Sequence, residues 1–157
     1  MNIKNALLKN KNKALLISEM PDYSQDILLN AVAEKLNNGI KIIHFYIKSI
    51  SDKDNIETGL KLRQLCSIYN ALFIVNSRID IAQIAQAEGI CLYDNDLTIS
   101  QIKKCTHDDI LIARYSNNLE LLLKNTNEIP DYICYQKDEK LPKNIDIKLV
   151  ELDRLIL

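Results

Sequence analysis

Six short apolar runs alternate with amphipathic stretches at a steady spacing, which restricts the chain to repeated strand–helix units around a mostly parallel sheet. The runs are Ala14 to Ser18, Ile40 to Tyr46, Leu72 to Val75, Gly89 to Tyr93, Ile110 to Arg114 and Asp131 to Tyr135. Between the first two, Ile27, Leu28, Ala31, Val32 and Leu36 recur at helical spacing behind Ser24, a candidate N-cap, and Gly39 follows the helix end. Asp52 to Asn70 repeats the pattern, and shorter helices fit Arg78 to Ala87, Ile99 to Cys105 and Asn118 to Lys124. The rhythm breaks after Tyr135. Only the nine residues Gln136 to Asn144 precede a last alternating segment, Ile145, Ile147 and Leu149. A parallel crossover needs about a dozen residues or more, so that strand is expected to turn back antiparallel, as an edge strand or the second arm of a hairpin. A complete eight-stranded barrel needs about 200 residues. The expectation for these 157 residues is one α/β domain holding an incomplete TIM-type barrel or an open twisted sheet.

Composition removes several function classes. Twenty basic and 21 acidic residues give a net charge of −1, without the basic excess that would neutralise nucleic-acid phosphates. No run approaches the roughly 18 apolar residues of a membrane span, and MNIKNALLKNKNK has too short an apolar core for a secretory signal, so a cytoplasmic protein is expected. Cys66, Cys91, Cys105 and Cys134 form no C-x-x-C pair, so spacing along the chain encodes no zinc knuckle or redox motif. Cys91 and Cys134 fall inside expected strands and read as buried hydrophobes rather than nucleophiles.

Several motifs carry a resemblance. GIKIIHFYIKSIS, from Gly39, is similar to a family pattern of Gly, several apolar residues, Gln-Leu-Arg, any residue, Lys: Lys48 matches the lysine, while His44 stands for the glutamine and Tyr46 for the arginine. LRQLCSIYNALF contains a Leu-Cys-x-x-Tyr run. VNSRIDIA matches Ile-Asn-Asp-Arg-Val-Asp-Ile-Ala at Asn76, Arg78, Asp80 and Ala82, with Ser77 replacing the aspartate. AEGICLYDNDL lies where the pattern reads Ala-Asp-Gly-Val-His-Leu-Gly-Gln-Glu-Asp-Leu: Asp96 matches the last aspartate, Cys91 replaces the histidine and Tyr93 the glycine. Over about Ile17 to Tyr135 the chain thus resembles the thiamine phosphate synthase and TenI superfamily.

That resemblance implies a β/α barrel with chemistry at the strand C-terminal ends. It also implies coupling of hydroxymethylpyrimidine diphosphate with thiazole phosphate to give thiamine phosphate and pyrophosphate. Such a reaction is driven mainly by electrostatic stabilisation of the departing diphosphate. By family position, Lys48, Asn76 and His44 are the substrate-binding candidates, and Asp96 with the weak ligand Ser77 the candidates for Mg²⁺. Asp94 is a possible substitute carboxylate. The family's two glycine-bearing phosphate turns have no counterpart, because no glycine follows Gly89. TenI-type tautomerisation relies on a histidine after the fifth strand, where Tyr115, Ser116 or Asn117 stands, and His107 precedes that strand.

Each residue also has a plainer reading. Asn76 and Ser77 could cap the following helix with Asp80 in its first turn, Asp94 to Asp96 could form a loop and cap, His44 could be a satisfied interior histidine, and Lys48 and Lys137 to Lys140 could be solvated. Two functions follow as expectations. One is a family member that has lost the coupling reaction and binds a phosphate or pyrophosphate. The other is a non-catalytic interaction scaffold whose open wall is completed by a partner or a second copy.

Overall fold

The computed structural model describes residues 13–124, 128–141, 143 and 146–157. Seven strands are found among them: β1 (Lys13–Ile17), β2 (Ile42–Phe45), β3 (Leu72–Asn76), β4 (Gly89–Leu92), β5 (Leu111–Tyr115), β6 (Tyr132–Gln136) and β7 (Leu149–Arg154). The five helices are α1 (Gln25–Asn37), α2 (Asp52–Ile68), α3 (Ile79–Ile84), α4 (Ile99–Cys105) and α5 (Leu119–Lys124). All six expected apolar runs are strands. Their near-continuous burial explains why they read as apolar runs rather than alternating ones, since a parallel strand is covered on both faces.

The strands close into a parallel barrel in the order β1 to β7. Of the two expected forms the TIM-type barrel is the one found, with seven strands among the described residues, while the open-sheet alternative and the antiparallel last strand are corrected. The sheet is not open, and the last strand is not antiparallel: β7 pairs in parallel with β6 through Ile133↔Leu149 and with β1 through Ala14↔Leu152. The strand begins at Leu149, so residues 137–148 are available for the crossover, which meets the minimum length. Ile145 lies outside the described residues and Ile147 precedes the strand. The β1–β7 seam also carries a Lys13–Glu151 ion pair at 3.2 Å. Among the described residues the barrel has no open wall.

Inward side chains from all seven strands form one core, including Leu16, Ile42, Ile74, Cys91, Ala113, Tyr132, Cys134 and Val150. A second core lies outside the barrel, where Leu28, Val32 and Leu36 of α1, Leu62 and Cys66 of α2, and Ile81 and Ala82 of α3 cover Phe45 and Phe73. Gly39 follows α1 at φ 101, a left-handed position that glycine adopts without a Cβ clash. Ser24 occupies the α1 N-cap position without a side-chain cap bond. Ser51 caps α2 by accepting the Asp54 N–H at 3.0 Å.

Candidate functional site

The polar residues gather beyond the C-terminal ends of β2 to β5. After β3 the chain turns on Ser77, whose φ of 61 is uncommon for a residue with a side chain. Its N–H reaches the Cys91 carbonyl at 2.9 Å, and the Arg78 N–H returns to the Asn76 carbonyl at 2.7 Å. This tight turn aims the Ser77 hydroxyl across to the loop after β4, where it donates to Asp96 Oδ2 at 2.6 Å. The same carboxylate oxygen accepts the Tyr93 N–H at 2.7 Å, so Asp96 closes its own loop. The two residues assigned to a metal by family position therefore do meet. Their expected capping roles are not taken up: α3 begins after Arg78 with no side-chain cap, and Thr98 caps α4 in a reciprocal box with Gln101.

Asp94, the possible substitute carboxylate, accepts from Ser116 Oγ at 3.0 Å, and Ser116 also receives the Asn118 N–H at 3.1 Å. A Mg²⁺ centre of the kind the resemblance implies uses two carboxylates. At the Ser77 turn the donor set is one carboxylate and one hydroxyl whose proton already points at that carboxylate. Those residues do not fit a two-carboxylate centre.

Lys48 lies in the exposed loop after β2, and its ammonium has no ion-pair partner among the described residues. That loop is braced from below. Asn55 of α2, wholly buried, accepts the Ile47 N–H at 3.0 Å and donates to the Ile47 carbonyl at 2.8 Å. Arg78 is committed elsewhere: it donates to both oxygens of Asp80 at 2.9 and 2.6 Å, to Asp52 at 2.8 Å and to the Tyr46 hydroxyl at 3.1 Å. Its guanidinium also lies 5.5 Å from the Tyr46 ring centre. Sequence reasoning missed this clamp, although the Tyr46 substitution was its signal.

The hydrogen bonds from Arg78 hold the Asp80 and Asp52 carboxyls below their ordinary value of 3.8. A depressed folded value means that the stabilisation is present above pH 3.8 and is lost as pH falls through the lower folded value. In urea titrations across that range, Asp80→Asn should show a shallower acid loss of stability than the wild-type chain. Equal slopes would contradict the clamp.

Asn76 and His44 are also brought together, but inside the barrel. His44 Nδ1 lies 3.1 Å from Asn76 Oδ1, and Nε2 lies 2.8 Å from the Tyr132 hydroxyl. The rings of Tyr93 and Tyr115 meet at 5.3 Å, and Gln136 donates to the Tyr115 hydroxyl at 3.1 Å. Burial raises both phenols above their ordinary value, so they remain protonated. A separate cleft of about 490 Å³, lined by Gln83, Gln86, Glu88, His107 and Ile110, lies by the loops that lead into β4 and β5. It is at the opposite end from this chemistry.

A closed parallel barrel with polar residues at the strand C-terminal ends defines a TIM-type domain. Within that class, the chain belongs to the thiamine monophosphate synthase family, whose sequence profile matches residues 14–137. The thiamine-phosphate synthase of Fusobacterium nucleatum is 34% identical over 121 residues, 77% of this chain and 59% of that protein. The corresponding protein of Prochlorococcus marinus subsp. pastoris is 36% identical over 127 residues, 78% of this chain and 36% of that protein. The chain thus spans between about a third and three fifths of the length of these curated relatives. The solved thiamine phosphate pyrophosphorylase from Pyrococcus furiosus superposes with a TM-score of 0.74 at 26% identity, covering 92% of this chain and 76% of that one. Among the described residues no helix is long and apolar enough to cross a membrane.

Proposed function

We propose that this chain is a thiamine monophosphate synthase-type barrel that binds a phosphorylated small molecule at its C-terminal mouth without coupling pyrimidine diphosphate to thiazole phosphate. The observation that carries this reading is the Ser77 hydroxyl donating to Asp96. A hydroxyl is a neutral, weak ligand for Mg²⁺, a cation that dehydrates reluctantly and is usually held through carboxylates and substrate phosphates. With one carboxylate the charge gathered around a leaving diphosphate falls, and that charge is the main source of rate in such chemistry.

The Lys48 ammonium, without an ion-pair partner among the described residues, is the group that attracts the anion, and the Asn55 brace fixes where the Lys48 loop stands. Lys48 supplies a point charge rather than a shaped cradle, which favours a phosphate or pyrophosphate group over a particular organic moiety. Asn76 contributes by holding His44 rather than by reaching the ligand. The test is to incubate the purified chain with hydroxymethylpyrimidine diphosphate, thiazole phosphate and Mg²⁺, and to quantify thiamine phosphate. The reading predicts no formation above the protein-free control; repeated turnover that depends on Mg²⁺ would overturn it.

A further inference from the structure

His44 and Cys91, two of the departures from the family pattern, face the barrel interior, and Cys134 joins them there. All three are wholly buried. They sit on β2, β4 and β6, and alternate strands of a β/α barrel contribute to the same interior layer. Their ligand atoms lie within 4.8 Å of one another, and Cys134 Sγ is 4.0 Å from His44 Nε2. The Asn76 oxygen facing Nδ1 makes that nitrogen the donor, which leaves the Nε2 lone pair directed toward Tyr132 and Cys134. Metal-ligating histidines are oriented in this way, with the second ring nitrogen donating to a fixed acceptor.

We propose that His44, Cys91 and Cys134 form a site for one zinc-class divalent cation inside the barrel, bound through His44 Nε2 and both cysteine sulfurs. Charge decides the class of ion. Two thiolates, a neutral imidazole and a divalent cation sum to zero, which a dry apolar layer accepts, whereas copper(I) would leave a buried net negative charge. The two thiol protons pass to solvent as the ion enters. With Zn–S near 2.3 Å and Zn–N near 2.0 Å, the ligand atoms around one tetrahedral ion stand about 3.5–3.8 Å apart. The present atoms, all within 4.8 Å of one another, stand at most about an ångström wider than that. The Tyr132 hydroxyl lies 2.8 Å from Nε2, and as a neutral phenol it adds no charge to that sum. This site is separate from the proposed anion site, which rests on Lys48 in the exposed loop after β2, whereas His44, Cys91 and Cys134 are wholly buried inside the barrel.

The test uses a Cys105→Ser chain, since Cys105 is the exposed thiol among the four. The reduced, metal-free protein is titrated with Zn²⁺ against a chromophoric chelator, and also refolded with one equivalent of Zn²⁺ so that burial does not limit entry. The proposal predicts one tightly held ion, an X-ray absorption spectrum with two sulfurs and one imidazole, and a raised unfolding midpoint. Cys91→Ser and Cys134→Ser should each weaken binding by more than the roughly 100-fold that loss of an outer partner costs. No stoichiometric uptake by either route, or uptake that survives either serine substitution, would overturn it. Should a serine variant fail to fold, the sulfur count in the wild-type spectrum decides, and a count of zero rejects the site.

Discussion

Replacing Asn55 with alanine is expected to lower the unfolding free energy by about 3 kcal/mol, as the sum of two unsatisfied buried backbone groups. Ile47 follows β2 where the ladder has ended, and it is wholly buried. Its N–H and carbonyl both find their partner in the Asn55 amide, at 3.0 and 2.8 Å. Alanine removes donor and acceptor together, and water cannot replace either without opening the α2 packing. Because the next residue is Lys48, the same substitution should loosen the loop that presents the ammonium and weaken pyrophosphate binding as well. Urea denaturation gives the first effect and isothermal titration the second. A loss of less than about 1 kcal/mol would show that the loop does not depend on this brace.

Gly89→Ala should be comparably damaging, at about 3 kcal/mol, the upper end of the usual cost of overpacking. A Cβ built at Gly89 would stand 2.6 Å from the Leu111 carbonyl oxygen, 2.7 Å from Ile74 Cδ1 and 2.8 Å from Leu111 Cβ. The first of these is backbone in the neighbouring strand β5, so a rotamer change cannot relieve it. β4 and β5 must separate, and the shift would propagate to Cys91 two residues on. For a chain of this size the change corresponds to a drop of about 10 °C in midpoint. A thermal unfolding midpoint within a degree or two of the wild type would contradict the packing described here.

The barrel was legible in the chain because strands buried on both faces are written as uninterrupted apolar runs, and all six expected runs form strands. The seventh was misjudged for a specific reason. The alternation of Ile145, Ile147 and Leu149 suggested a strand starting too early, which shortened the apparent connection and made an antiparallel return look necessary. Starting at Leu149 restores enough chain for a parallel crossover. The Ser77–Asp96 contact was legible only through family position, since nothing in the spacing of a β3 turn and a β4 loop says that they touch. The His44, Cys91 and Cys134 cluster was not legible at all. Its members are 47 and 43 positions apart, and short-range ligand spacing has no view of a layer assembled from alternate strands. The Tyr46 and Arg78 clamp was hidden in the same way, because a tyrosine in an arginine position reads as a loss rather than as a new acceptor.

The most direct test of the central claim is the thermal unfolding midpoint of the wild-type chain and of Ser77→Asp, each with pyrophosphate alone, Mg²⁺ alone and both together. A ligand that binds only the native state raises the midpoint by mass action. Aspartate tolerates the left-handed backbone at this position, but beside Asp96 it adds like-charge repulsion that only a cation relieves. The account predicts that the wild-type midpoint rises with pyrophosphate and gains nothing further from Mg²⁺. It predicts that Ser77→Asp starts lower and, unlike the wild type, rises by several degrees further when Mg²⁺ is added to pyrophosphate. A wild-type midpoint that requires Mg²⁺ and rises as far as that of Ser77→Asp would show a working metal centre and contradict the account.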